Sequence, residues 1–136
     1  AAPAFLETHK RPTHPSELER YPTVTMTTAG EKYTWLFREK NCTPITVTHV
    51  PRLMTDSFDA LRDAAIAGVG VAYLPYFIVQ DALASGALET VLPEYRLAPA
   101  LMHVVFPSRR GMVPAVRALL DALAKGFEGS CPKPQV

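Results

Sequence analysis

Between Thr55 and Pro75 the residues TDSFDALRDAAIAGVGVAYLP change their hydrophobic period twice, from a polar loop to a helical stripe and then to a short apolar run. Phe58, Leu61, Ala65 and Gly68 fall on one stripe at helical spacing, while Asp59, Arg62, Asp63 and Ile66 fall on another. The first stripe is predicted to face a sheet, and the second to be solvated except at Ile66. Asp56 or Ser57 can cap this helix, because a short side-chain oxygen accepts from first-turn N–H groups that have no intrahelical partner. Gly68 and Gly70 are expected to close it, since glycine takes the left-handed conformation found at helix ends. VAYLP then reads as a buried strand, and the whole stretch as half of a βαβ unit.

The flanking pattern supplies the remaining elements. AAPAFLETHK predicts a short helix with Pro3 in its first turn and Phe5 and Leu6 inward, and HPSELERY one or two further turns capped by Ser16, with Leu18 and Tyr21 inward. Thr23 to Thr27 is β-branched and alternating, so it is assigned to a strand, followed by a turn around Gly30. Tyr33 to Glu39 alternates Tyr33, Trp35 and Phe37 against Thr34, Leu36 and Arg38, a strand with aromatics on one face. ITVTHVPRLMT reads as one extended segment, with a strand over Ile45 to Thr48 and pairing limited by Pro44 and Pro51. Further strands are expected at Val71 to Leu74, over ALETVL, and at Leu101 to Phe106. Helices are expected at Ser57 to Ala67, Tyr76 to Ser85 and Pro114 to Phe127. The last of these carries Val113, Val116, Leu120, Leu123 and Phe127 along one face.

Composition narrows the class more than the function. With 136 residues, 48% hydrophobic and 20% charged, the chain can bury one sizeable core and belongs with soluble globular proteins. Fourteen basic against 13 acidic residues give a net charge of +1, so no broad positive field attracts nucleic acid. No apolar run reaches the roughly 20 residues of a membrane helix, and the start lacks a signal-peptide pattern; no membrane partner is expected, and the cytosol is the default compartment. Cys42 and Cys131 form no metal-type spacing, and His9, His14, His49 and His103 are scattered, so neither a metal site, a cofactor nor a structural disulfide is expected. There is no G-x-S-x-G, no cysteine with a plausible His and acid partner, and no glycine-rich phosphate loop, so an enzyme is not expected. Arg109 and Arg110 read as a solvated turn.

Six segments occur in a recognisable order: AAPAFL with HPSELERY, the polar loop TDS, ALRDAAIAGVGVAYLP, L..G.LETVLPEY, VVFPSRR, and PAVRALLDALAKGF. In this order the chain resembles the effector-binding domain of LysR-type transcriptional regulators. The resemblance implies an α/β fold, a single lobe of a type II periplasmic-binding-protein-like architecture with a mixed sheet flanked by helices. It implies that residues 1–128 are the second lobe of that domain plus the segment returning to the first, with 129–136 a disordered tail. The implied function is a ligand-sensing and dimerisation module, a homodimer that meets DNA only through a helix-turn-helix domain outside these residues. The alternative is a solute-binding fragment of a transport system. Carried onto this sequence, the family's effector site corresponds to Thr55, Asp56, Ser57 and Phe58, with Thr27 at the end of its strand facing the same cleft. Hydroxyls and free N–H groups at a helix start favour an anionic or other hydrogen-bonding group, while Asp56 leaves a hydroxylated, amine-bearing or neutral ligand open. The same residues would also serve simply as a helix cap.

Overall fold

The computed structural model describes residues 1–27, 33–38, 44–97, 105 and 113–130, with side chains as far as 126. Two compact units divide the chain, Ala1–Ala98 and Pro99–Val136. The first begins with α1 (Pro3–His9) and a 3-10 helix (Pro15–Arg20). Next come β1 (Thr23–Met26), β2 (Tyr33–Arg38), β3 (Pro44–His49) and β4 (Pro51–Thr55). Then follow α2 (Phe58–Ile66), β5 (Val71–Ala72), α3 (Tyr76–Ala84) and β6 (Arg96–Leu97). The second unit contains α4 (Pro114–Ser130).

The strands form two sheets among the described residues: a parallel one in the order β4-β1-β5, and an antiparallel one in the order β3-β2-β6. The segment β4–α2–β5 is thus a crossover between two strands that flank β1, of which α2, the turn and β5 are the half unit expected from the change of period after Thr55. Leu61 and Ala65 are fully buried beneath α2 with Val24, Ala82 and Leu88. The second core cluster joins Phe5, Leu6 and Leu18 from the first helices to Trp35, Phe37 and Val47. Trp35 and Phe37 are buried while Thr34, Leu36 and Arg38 are exposed, so the alternation in β2 sets its inward face.

ITVTHVPRLMT is not one weakly paired segment. It forms two paired strands in different sheets, since β3 runs unbroken beside β2 from Tyr33↔His49 to Arg38↔Pro44, and β4 runs beside β1 with one register shift between Thr23 and Val24. Both prolines stand at the first residue of a strand on a sheet edge, where a missing N–H removes no ladder bond, and the exposed Val50 carries the switch. ALETVL forms no strand, because Leu92 adopts a positive φ of 56° that breaks extended backbone; the short strand lies at Arg96–Leu97 instead. The cap of the 3-10 helix is His14 rather than Ser16: its Nδ1 accepts from the Ser16 N–H at 3.2 Å, and Glu17 accepts from the His14 N–H at 3.1 Å. Gly68 closes α2 at φ +75° as expected, but Gly70 does something else. A Cβ there would lie 2.5 Å from the Pro22 carbonyl oxygen, so glycine permits the close approach of β5 to β1. The strand expected over Leu101 to Phe106, the turn at Gly30, both cysteines, and Arg109 with Arg110 lie outside the described residues, Val105 excepted.

Candidate functional site

The C-terminal ends of β1 and β4 and the start of α2 meet at one edge of the parallel sheet. Thr27 N–H donates to the Thr55 carbonyl at 3.0 Å, extending the ladder one step past Met26↔Thr55. Thr55 Oγ1 accepts from the Ser57 N–H at 3.3 Å, and Ser57 Oγ accepts from the Ala60 N–H at 3.3 Å. Ser57, not Asp56, is therefore the cap, and the first-turn N–H groups of Phe58 and Asp59 take no intrahelical partner. Thr27, Asp56, Ser57 and Phe58 are exposed and Thr55 is half-buried. The fold thus brings all five sequence-derived residues to one open edge, with hydroxyls, a helix start and the phenyl ring of Phe58 side by side. On the outer face of α2, Arg62 pairs with Asp59 at 2.9 Å and with Asp63 at 3.0 Å, so these charges face one another.

Two further features escaped the reading of the sequence. A groove of about 230 Å³ lies within the first unit, lined by Trp35, Phe37, Tyr73, Leu74, Tyr76 and Leu97 among others; none of the five edge residues contributes to it. Its signal was present as aromatics on both sides of Pro75, but Trp35 and Phe37 are indistinguishable by period from ordinary core. The second feature is His49, which is buried with its Nδ1 at 2.7 Å from Thr23 Oγ1 and its ring against Trp35 at a centroid distance of 4.3 Å. Burial holds its pKa below the ordinary 6.5, and burial raises the Tyr73 phenol above 10.0. Among the described residues no group of three or more His, Cys, Asp or Glu could hold a metal ion, and no helix is long and apolar enough to cross a membrane.

Comparison with known proteins places the chain in a family. The family model for the LysR substrate binding domain matches residues 1–128. An HTH-type transcriptional regulator of Haemophilus influenzae is 34% identical over 110 residues, covering 81% of this chain and 38% of that protein. The HTH-type transcriptional regulator PtxR of Pseudomonas aeruginosa is 31% identical over 123 residues, covering 90% of this chain and 39% of its own. The chain spans roughly two fifths of the length of the curated relatives it matches. Among solved structures, the regulatory domain of CrgA from Neisseria meningitidis superposes with a TM-score of 0.66 at 22% identity, over 92% of this chain and 61% of that one. Full-length AphB from Vibrio cholerae gives 0.65 at 21% identity, over 72% of this chain and 33% of that one. These two likenesses carry the fold, the type II periplasmic-binding-like architecture of such regulatory domains. The relatives are transcriptional regulators rather than enzymes, which favours the regulator reading over a transport protein. The chain belongs to the LysR substrate binding domains, the effector-binding regulatory part of LysR-type regulators.

Proposed function

We propose that this domain senses a small molecule at the edge formed by Thr27, Thr55, Asp56, Ser57 and Phe58, and passes the signal to the rest of a cytoplasmic transcription regulator. The observation that carries this reading is the convergence of two parallel strand ends and a capped helix start beside an exposed aromatic ring. Ligands gather at such strand ends in open α/β sheets, and first-turn N–H groups suit a carboxylate or hydroxyl oxygen. Thr27 and Thr55 supply further hydroxyls, and Phe58 flanks an apolar portion of the ligand. The domain works without catalysis, as a homodimer, and meets DNA only through a helix-turn-helix domain of the longer protein. Residues 1–128 act as the second lobe of the sensor with the segment returning to the first.

The test is a thermal-shift screen of small acids, hydroxy acids, amines and sugars on the intact regulator, repeated with Ser57→Ala and Thr55→Val. A compound that raises the wild-type melting temperature should lose most of that shift in the variants, a loss larger than the fall of about 1 kcal/mol in ligand-free stability that removing the cap brings. Equal losses in binding and in stability would leave only the capping role.

A further inference from the structure

Thr23 and His49 are the buried polar side chains among the described residues, at 0% and 3% exposure, and they meet where the two sheets join. Thr23 opens β1 of the parallel sheet, and His49 ends β3 of the antiparallel one. Their 2.7 Å hydrogen bond is the polar tie across that joint, with Trp35 against the imidazole and Tyr33 at 6.2 Å. The other ring nitrogen, Nε2, is buried and has no partner among the described residues. A neutral imidazole therefore leaves one polar atom unsatisfied. An imidazolium has Nε2–H unpaired whichever tautomer precedes it and, even with Nδ1–H donating to Thr23 Oγ1, brings a full charge into apolar surroundings, a much larger cost.

We propose that His49 is an acid-sensitive lock between the two sheets: neutral, it ties β3 to β1, and its protonation releases the joint.

Among the described residues the surroundings offer the charged form no compensation. From β1 the ring meets Thr23, and from β2 it meets Tyr33 and Trp35; beyond Trp35 stands Tyr73, whose phenol is neutral throughout the acid range. Arg38 on β2 and Arg52 on β4 are exposed, as are Glu19 and Arg20 on the 3-10 helix packed against β3, and Glu17 there is bonded to Thr13 and His14. Desolvation alone accounts for the lowered His49 pKa. The sign follows from that direction. As pH falls through 6.5 the unfolded chain takes up a proton that the folded chain refuses, so stability is complete above that value and declines below it, toward the folded-state pKa. The lock also sits at the near ends of two strands whose far ends reach the effector edge: β1 leads from Thr23 toward Thr27, and β4 follows His49 after Val50 and ends at Thr55. Transmission to that edge rests on the function proposed above, whereas the lock itself does not.

Two measurements decide it. A pH titration of the histidine side-chain NMR signals in the wild-type chain, with His49 assigned by its loss in His49→Gln, should show a midpoint below the ordinary value of about 6.5. Melting temperatures between about pH 7.5 and pH 5 should fall more in the wild type than in His49→Gln, which carries no titratable ring. A His49 midpoint at or above the ordinary value, or the same pH slope in both proteins, would overturn the proposal. Should the Gln variant fail to fold, His49→Phe keeps a ring against Trp35 and serves in its place. The wild-type titration, assigned through ring contacts to Trp35, decides in either case. Failure of the thermal-shift screen with a normal result here would count against the effector edge alone.

Discussion

Ser57 and Gly70 act on the fold by opposite means, one by the bond it makes and the other by the side chain it lacks. Ser57→Ala removes the acceptor for the Ala60 N–H and should cost about 1 kcal/mol, read as a shift of the denaturation midpoint at unchanged slope. Gly70→Ala places a methyl against the Pro22 carbonyl, the same oxygen that accepts the Val71 N–H at 2.9 Å, so β5 must move off β1 or the ladder must bend. Overpacking of this kind costs about 1–3 kcal/mol. A loss no larger than that of an ordinary surface change would show that the short β5 shifts without penalty.

At the scale of elements, the helix α2 separates two kinds of position that its period foretells. Leu61 is fully buried against β1 and the neighbouring α3 cluster, while Ile66 is 39% exposed on the same helix. Leu61→Ala should therefore destabilise by about 2–5 kcal/mol through lost burial and the cavity left behind. Ile66→Ala should stay within about 0.5 kcal/mol, as surface substitutions usually do. Urea unfolding of both variants checks the contrast, and comparable losses would mean that Ile66 is covered in solution. The corner between β3 and β4 shows what periodicity omits. Each strand alternates as a strand should, yet the chain leaves one sheet and enters another across the single residue Val50.

For the molecule as a whole, association is the open physical question, because Val116, Leu119 and Leu123 of α4 are at least 40% exposed. Burying an apolar side chain of this size is worth roughly 1.5–3 kcal/mol, so several held in water together are a strong drive to associate. Sedimentation velocity at micromolar concentration should show a homodimer, weakened by Leu119→Asp together with Leu123→Asp. A monomer unaffected by both changes would remove α4 from the interface.

What the sequence by itself determined is what short-range physics can encode. The helical stripe of α2, a cap at Asp56 or Ser57, the left-handed Gly68, the aromatic face of β2 and the start of β1 each depend on residues within a few positions of one another, and the structure then selects Ser57. Of the five edge residues, Thr55 to Phe58 follow from the family resemblance together with a local capping pattern and Thr27 from its place at a strand end, whereas their meeting at one edge comes from the pairing of β1 with β4. The tertiary structure alone decided the rest. The Thr23–His49 bond spans 26 positions, so no local window marks His49 as different from the other three histidines. Leu88 and Leu92 look like part of a strand until a positive φ at Leu92 breaks it, and Arg96–Leu97 becomes a strand because β2 presents an edge to pair with. Gly70 is required by the nearness of Pro22, a neighbour in space that lies 48 positions earlier in the chain. Burial, pairing and close approach belong to the folded assembly of elements, and they become visible only once the strands are set side by side.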